Sequence, residues 1–484
     1  MEEIEIEKIK SKTAKNFLYL SVRNFGIQII TTIGFFILTI ILGAGEVGLF
    51  AIVAESIAIL GYFSDIGLAS ALIQQKHEVE TKDLRVTFTI QQILVVIGLI
   101  IVAIIYPSIA QSKGYGSKEF TILLSLCFSF IAASLKTIPS VLLERKLDFQ
   151  KLSLVDIVEN ILFYLIAVIF ALFGFGVYSY AIATFIKSLV GLIIIYRLQW
   201  WDIGIGFSFE TTKKLMSYGL PFQANSLIAV AKDRLSNLLV AGIIGRESFG
   251  LLSWAQKGPR IPLSFMDAIM KITFPTFSRI QDNPELLKKS ITKSIYFIAL
   301  IVFPLLAGIA LISNDIINLI PKYTKWQPAV VPLYFYAISY AIAAITTPIT
   351  NAFNAIGKIK TTTKLMIMWT VLTWIFYPIL SLKFGYYGTS IAALIVGSSS
   401  FVVWILAKKY FDTNIFSIII HPSIATVSFI ILSLSATFYI DNTILKIVIK
   451  VLISVIVYCF YLWLWSKDDL LWFLKQAKWL KKQQ

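Results

Sequence analysis

The chain has 484 residues, 57% of them hydrophobic and only 14% charged, with a mean hydropathy of +0.80. A soluble domain carries about 25% charged residues, so a soluble enzyme is excluded as a class. The net charge of +16 would suit nucleic acid if it formed a patch, but the lysines and arginines lie beside apolar runs instead.

In chain order, residues 1–15 are charged throughout, which argues against a cleavable signal peptide and for a short segment at the cytosolic surface. Windows of about 20 apolar residues, enough to cross a bilayer, then recur along the rest of the chain. They predict about fourteen transmembrane helices. The first seven cover 17–43, 47–73, 86–110, 119–143, 153–174, 176–198 and 215–243. The others cover 248–276, 290–313, 328–355, 362–382, 386–407, 416–439 and 444–465. Placing the N-terminus in the cytosol puts 27 lysines and arginines in the cytosolic segments and 6 in the opposite loops. That bias is the one the positive-inside rule demands, and both termini are therefore expected in the cytosol. Cys127 and Cys459 lie inside apolar runs, which leaves no disulfide framework or metal knuckle. His77 and His421 read as loop or cap residues.

The chain is internally duplicated. Gly43-Ala-Gly-Glu-Val-Gly48-Leu49 matches Gly245-Arg-Glu-Ser-Phe-Gly250-Leu251 at an offset of 202, which also carries Asp65 onto Asp267 and Glu55 onto Lys257. FGVYSYAIA from Phe175 matches FGYYGTSIA from Phe384 at an offset of 209, which pairs Pro139 with Pro348. The expected organisation is a six-helix bundle over 1–205, a second over 206–412, and two extra helices with a basic cytosolic tail over 413–484. Repeats with an even number of helices run parallel about an axis along the membrane normal. A central cleft between two bundles that rock is the architecture this predicts.

One stretch puts charge inside the membrane. Lys257, Arg260, Ser264, Asp267 and Lys271 fall on one face of the eighth helix, because steps of three and four residues at 100° per residue stay on one side. Such a stripe is costly in lipid and normally faces a bundle interior or a water-filled path. Lys232, Asp233 and Arg234 cluster in the seventh helix, where Asp233 can neutralise only one neighbour. Lys136 and Lys187 sit within the fourth and sixth helices, with snorkelling as the alternative to a functional role. Pro259 and Pro262 predict a bend in the eighth helix. Trp200, Trp201, Trp463 and Trp465 fall near span ends and read as an aromatic belt. No phosphate loop and no H-E-x-x-H is present, which argues for a non-enzymatic protein, and the placement of the basic residues beside the spans argues against a nucleic-acid partner.

The first-loop residues Gly43, Gly48, Leu49 and Phe50, the run Tyr62 to Leu68, Ala71-Leu72-Ile73-Gln74 and PSVLLERKLDF from Pro139 carry a resemblance. With the six-plus-six-plus-two helix count, the chain resembles the multidrug/oligosaccharidyl-lipid/polysaccharide (MOP) exporter superfamily, and within it the Wzx-type polysaccharide-export flippases. The resemblance implies an all-α integral membrane protein of the bacterial or archaeal plasma membrane. It implies transport of an undecaprenyl-pyrophosphate-linked oligosaccharide from the cytosolic to the outer leaflet by alternating access. It further implies lipids as surroundings, a polysaccharide polymerase and chain-length regulator as partners, a monomer, and no cofactor beyond a coupling H⁺ or Na⁺.

A pyrophosphate is a dense anion that buried cations must hold. Arg23, Lys232, Arg234, Lys257 and Arg260 are the candidate ligands, Arg260 foremost because it is near mid-span on the stripe. Glu55, Asp65, Asp233 and Asp267 are candidates for gating or ion pairing, with Glu55 expected to face Lys257 across the pseudo-axis as a latch. The alternatives are a cation-coupled multidrug exporter of the same fold, whose substrates would prefer an acidic site, and a membrane scaffold in a polysaccharide assembly complex.

Overall fold

A computed structural model describes residues 26–65, 67–75 and 79–465, with side chains described for all of these except 63–65, 218–228 and 272. Among the described residues every regular element is a helix. α1 covers Gly26–Ile41, α2 Ala44–Asp65, α3 Leu68–Gln74, α4 Thr81–Lys113, α5 Ser117–Arg145, α6 Phe149–Leu172 and α7 Tyr178–Leu198. α8 (Phe209–Val230) passes through a π-helical turn, Ala231–Leu235, into α9 (Ser236–Arg260), and α10 spans Leu263–Arg279. α11 (Pro284–Leu319) leads through a 3₁₀ turn, Pro321–Ala329, to α12 (Val330–Ala355). α13 (Ile359–Ser398), α14 (Phe401–Phe411), α15 (Ile415–Ala436) and α16 (Thr443–Trp465) complete the order.

Eleven of the described helical stretches are long and apolar enough to cross a membrane. Several hold more than one expected span, because non-helical glycines break them. Gly245 (φ 80°, ψ 169°) interrupts α9, and Gly385 (φ 59°, ψ −138°) divides α13. With these breaks each of the fourteen expected spans finds its own helical segment, and the all-α, multi-pass reading holds. The duplication is visible in the backbone too. Gly176 and Gly385, equivalent at the offset of 209, take φ of 54° and 59°, a left-handed conformation that a side chain would resist.

By packing, the chain divides into two compact units, 1–253 with 377–385, and 254–376 with 386–484. In the first unit α7 lies against α5 and α6 through small buried residues, Ala181, Ala183 and Ser188, which let the backbones close up without apolar driving force from lipid. Hydroxyls join the helices: Ser188 Oγ donates to Ser129 Oγ at 2.8 Å, and Tyr196 Oη donates to the Leu135 carbonyl at 3.0 Å. The PSVLLERKLDF and ALIQ motifs meet here. Arg145 Nη1 donates to the carbonyls of Leu72 (2.6 Å) and Gln75 (2.9 Å), satisfying the C-terminal acceptors of α3. Trp201 departs from the belt expectation. It is 4% exposed and packs among Leu68, Leu84 and Ile138, whereas Trp200 is 69% exposed.

In the second unit α12, α15 and α16 surround α11. Phe277, Ile291, Ile295, Ile345, Ile349, Phe353 and Val403 form a core there. Two polar anchors fix α16. Lys450 Nζ donates to Asp315 Oδ2 at 2.6 Å and to the Leu311 carbonyl at 3.3 Å, and Tyr458 Oη donates to the Leu300 carbonyl at 2.6 Å. The outward faces of both units are apolar, with Ile104 and Ile405 about as exposed as a side chain in a lipid-facing helix should be, at 70% and 69%.

Candidate functional site

The first unit builds one charged constellation around α2 and the π-helical turn. A π turn adds a residue to the helix and leaves part of its ladder unmade; such turns concentrate at functional sites. Here it presents Lys232, Asp233 and Arg234 together. Lys232 Nζ lies 3.0 Å from Asp233 Oδ1, so the single carboxylate takes one neighbour, as the composition of the cluster required. Arg234 Nη1 reaches across to α2 and donates to Glu55 Oε2 at 2.6 Å, while Asn237 Nδ2 approaches Glu55 Oε1 at 3.5 Å. Ser236 Oγ donates back to the Lys232 carbonyl, answering an acceptor that the π turn frees. The carboxylate of Glu55 is thus engaged by Arg234, which lies on the π-helical turn directly after α8, a partner that sequence spacing did not single out.

The second unit carries the stripe. α9 ends at Arg260, regular helical bonding lapses at Ile261 and Pro262, and α10 restarts at Leu263. The bend expected from Pro259 and Pro262 is present. One face of α10, Met266 and Met270, is buried against Ile298, Val302 and Leu306 of α11 and Ala337 and Ala344 of α12. Arg260, Asp267 and Lys271 lie off that face and are exposed within the unit. Asp267 sits in the fields of Arg260 and Lys271, and Lys257 in that of Arg260. Among the described residues Arg260 and Asp267 make no ion pair within 4 Å. Interrupted helices in membranes are tolerated where they line a cavity, and a half-helix N-terminus beside an arginine is suited to an anion.

Of the remaining expected residues, Arg23 lies outside the described residues, and Asp65 ends α2 with its side chain outside them. Among the ion pairs that the sequence did not reveal, three more lie in or beside the spans. Lys136 Nζ lies 2.5 Å from Glu159 Oε1, joining α5 to α6. Arg246 Nη1 donates to Glu119 Oε1 at 2.7 Å, and Glu119 is buried while also accepting from the Gly116 N–H. The third is Lys450 with Asp315. Each acidic partner sits in or beside an apolar run, and a search for carboxylates within the spans or just past their ends would have found Glu159 and Asp315.

The fold and these charges define a multi-pass helical membrane protein with cationic groups on broken helices. Over residues 37–331 the chain matches the family described as "Polysaccharide biosynthesis protein", and it belongs to that family. It is 23% identical over 300 residues to the teichuronic acid biosynthesis protein TuaB of Bacillus subtilis (strain 168), covering 61% of each chain. It is 23% identical over 332 residues to the lipopolysaccharide biosynthesis protein WzxC of Escherichia coli (strain K12), covering 68% of this chain and 66% of that one. The matched part is thus less than two thirds of the length of either relative. Among solved structures it resembles the lipid II flippase MurJ in an inward closed conformation, with a TM-score of 0.77 and 17% identity over 94% of this chain and 99% of that one. An inward-facing multidrug resistance MATE family transporter of the MOP superfamily gives a TM-score of 0.60 and 18% identity over 81% and 96%. At such identities the likeness is one of fold, and the fold is that of the MOP superfamily.

Proposed function

We propose that the protein is a flippase that carries an undecaprenyl-pyrophosphate-linked oligosaccharide from the cytoplasmic to the outer leaflet of the plasma membrane for polysaccharide biosynthesis. It works by alternating access, as a monomer, without catalysing a reaction and with an ion gradient or the membrane potential as its energy source. Both termini lie in the cytoplasm, consistent with the lysine and arginine bias of the loops. A polysaccharide polymerase and a chain-length regulator act downstream on the transported unit.

The observation that carries this reading is Arg260. It stands at the break of a membrane helix, exposed on the polar stripe, and no described carboxylate neutralises it within 4 Å. An uncompensated guanidinium in a span is costly unless an anion joins it, and its planar fork matches a phosphate. Lys257 supplements it in the second unit. In the first unit Arg234 and Lys232 supply cations, and Glu55 holds Arg234 until a diphosphate replaces it. The relatives' roles in teichuronic acid and lipopolysaccharide biosynthesis support the same substrate class. Cationic groups of this kind disfavour the multidrug-exporter reading, because a cationic drug would be repelled.

The test is lipid-linked oligosaccharide in cells lacking the protein, with intact or Arg260→Ala copies returned. The expected result is accumulation of the complete unit on the cytoplasmic leaflet, cured by the intact copy and not by Arg260→Ala. Cure by both copies would remove Arg260 from the site, and no accumulation in a strain without a substitute flippase would overturn the reading.

A further inference from the structure

A second group of charges lies in the first unit, apart from the constellation around Glu55 and Arg234. Lys136 on α5, Glu159 on α6 and Lys187 on α7 come together at the junction of these three helices. Lys187 is the tenth residue of the 21-residue α7, about 15 Å along the axis from either end. Glu159 is as central in α6, and Lys136 stands about 14 Å from the end of α5. Those distances exceed the reach of a lysine stem, so snorkelling to an interface does not explain either lysine.

The packing is built around the carboxylate. Glu159 pairs with Lys136 at 2.5 Å, and it lies over Gly191, one turn along α7 from Lys187, where any Cβ would collide with its Oε1. Lys187 Nζ rests 4.7 Å from the centre of the Phe163 ring, in the fields of Glu159 and Lys136. No ion pair within 4 Å joins Lys187 to another described residue. Among the described residues the charged groups in whose fields Lys187 lies are Lys136 from α5 and Glu159 from α6, and Asp156 stands one turn from Glu159 on α6. On the Phe163 side the titratable groups are Tyr164 and Tyr180, and α2 reaches α7 at the Phe50–Tyr180 stack, two turns from Lys187.

Two lysines share one carboxylate here, in the middle of spans where a net charge is expensive. With all three ionised the cluster carries +1. Breaking one N–H bond of Lys187, with the electron pair left on nitrogen and the proton passed to water, brings it to zero and leaves the Lys136–Glu159 pair intact. We propose that Lys136, Glu159 and Lys187 form a proton-binding site in the membrane interior, with Lys187 carrying an exchangeable proton that drives the transport cycle. The driving role rests on the flippase reading; the proton site does not.

Two measurements test this. The first is potentiometric titration of the full-length protein in lipid nanodiscs against Lys187→Arg, which keeps the charge but cannot release a proton, and Lys187→Met, which cannot carry one. Between about pH 6 and 9 the intact protein should release about one proton per chain more than either variant, since ordinary lysines stay charged there. Superposed curves would overturn the site. The second is restoration of surface polysaccharide in cells lacking the protein, where Lys187→Arg, present at normal level in the membrane, should fail. Full restoration by Lys187→Arg would overturn the driving role. Failure of the intact copy would instead overturn the flippase reading, with the titration still deciding the proton site.

Discussion

Gly48 on α2 and Gly250 on α9 stand back to back, each occupying the space the other's side chain would need. A Cβ on Gly48 would meet the Arg246 carbonyl and lie 2.7 Å from the Gly250 nitrogen, and a Cβ on Gly250 would meet the Ala44 carbonyl and lie 3.0 Å from the Gly48 nitrogen. The contact is reciprocal, because the offset of 202 carries Ala44 onto position 246 and Gly48 onto position 250. Two copies of one motif have folded into a local two-fold crossing, the self-complementary contact expected of symmetric partners.

The glycines are required at this crossing because both neighbours are backbone and cannot rotate away. Gly48→Ala and Gly250→Ala should each cost about 1–3 kcal/mol, as forcing a methyl into a packed interior does. Gly45→Ala is the control, since a Cβ there meets nothing within 4 Å. Thermal midpoints of the three variants in detergent check this. Helix propensity favours alanine over glycine, so Gly45→Ala should be neutral or slightly stabilising, and a loss there equal to that at Gly48 would mean that the crossing is not what is being measured.

If Glu55 occupies Arg234 only until an anion arrives, removing its charge should free the guanidinium. Glu55→Gln is expected to bind inorganic pyrophosphate about five- to tenfold more tightly than the intact chain, a gain of about 1–1.4 kcal/mol. Arg234→Gln should weaken binding at least as much, with Arg234→Lys between, because an ammonium keeps the charge and loses the fork. Calorimetric titration of the full chain decides the point. Unchanged affinity in Glu55→Gln would make the pair a structural strut.

The Lys450–Asp315 pair is a strut by its geometry. Both side chains are buried, and Lys450 spends a further donor on the Leu311 carbonyl. Removing one partner strands the other charge in an apolar interior, at about 3–5 kcal/mol. Asp315→Asn and Lys450→Met should each lower the thermal midpoint strongly, while the double variant should recover part of the loss. A fully additive double variant would show that the two do not act as a pair.

Outside the spans, Lys288 on α11 donates to Asp412 Oδ2 at 2.5 Å, and that hydrogen bond and charge hold the Asp412 carboxyl below the usual carboxylate range. A depressed carboxyl stabilises the fold at neutral pH and loses that contribution as pH falls through its folded value. Both groups are exposed, so the effect is small and screened by salt. Asp412→Asn, which tolerates the left-handed backbone at this position (φ 49°), should lower the midpoint slightly at neutral pH and low salt. The difference from the intact chain should vanish in acid and in about 1 M salt.

Much of the fold was legible without coordinates because lipid imposes a one-dimensional rule. A helix crosses the bilayer only where apolar residues run long enough, so counting apolar residues locates spans. The polar face through Arg260, Asp267 and Lys271 was legible for the same kind of reason, since helical periodicity is local. Trp201 was misread as a belt residue because position near a span end does not say whether a neighbour covers it.

The sequence by itself determined the all-helical membrane class, the duplication and the stripe of the eighth span, all of which depend on residues a few turns apart or on a repeated offset. Only the tertiary structure decided which charges meet: Glu55 with Arg234, Lys136 with Glu159, Lys450 with Asp315. Ion pairs join helices separated by tens to hundreds of residues, and each lysine or arginine is compatible with any carboxylate at the same depth. The choice among them is made by helix packing, where a small residue such as Gly191 admits a carboxylate and a larger one would turn it away.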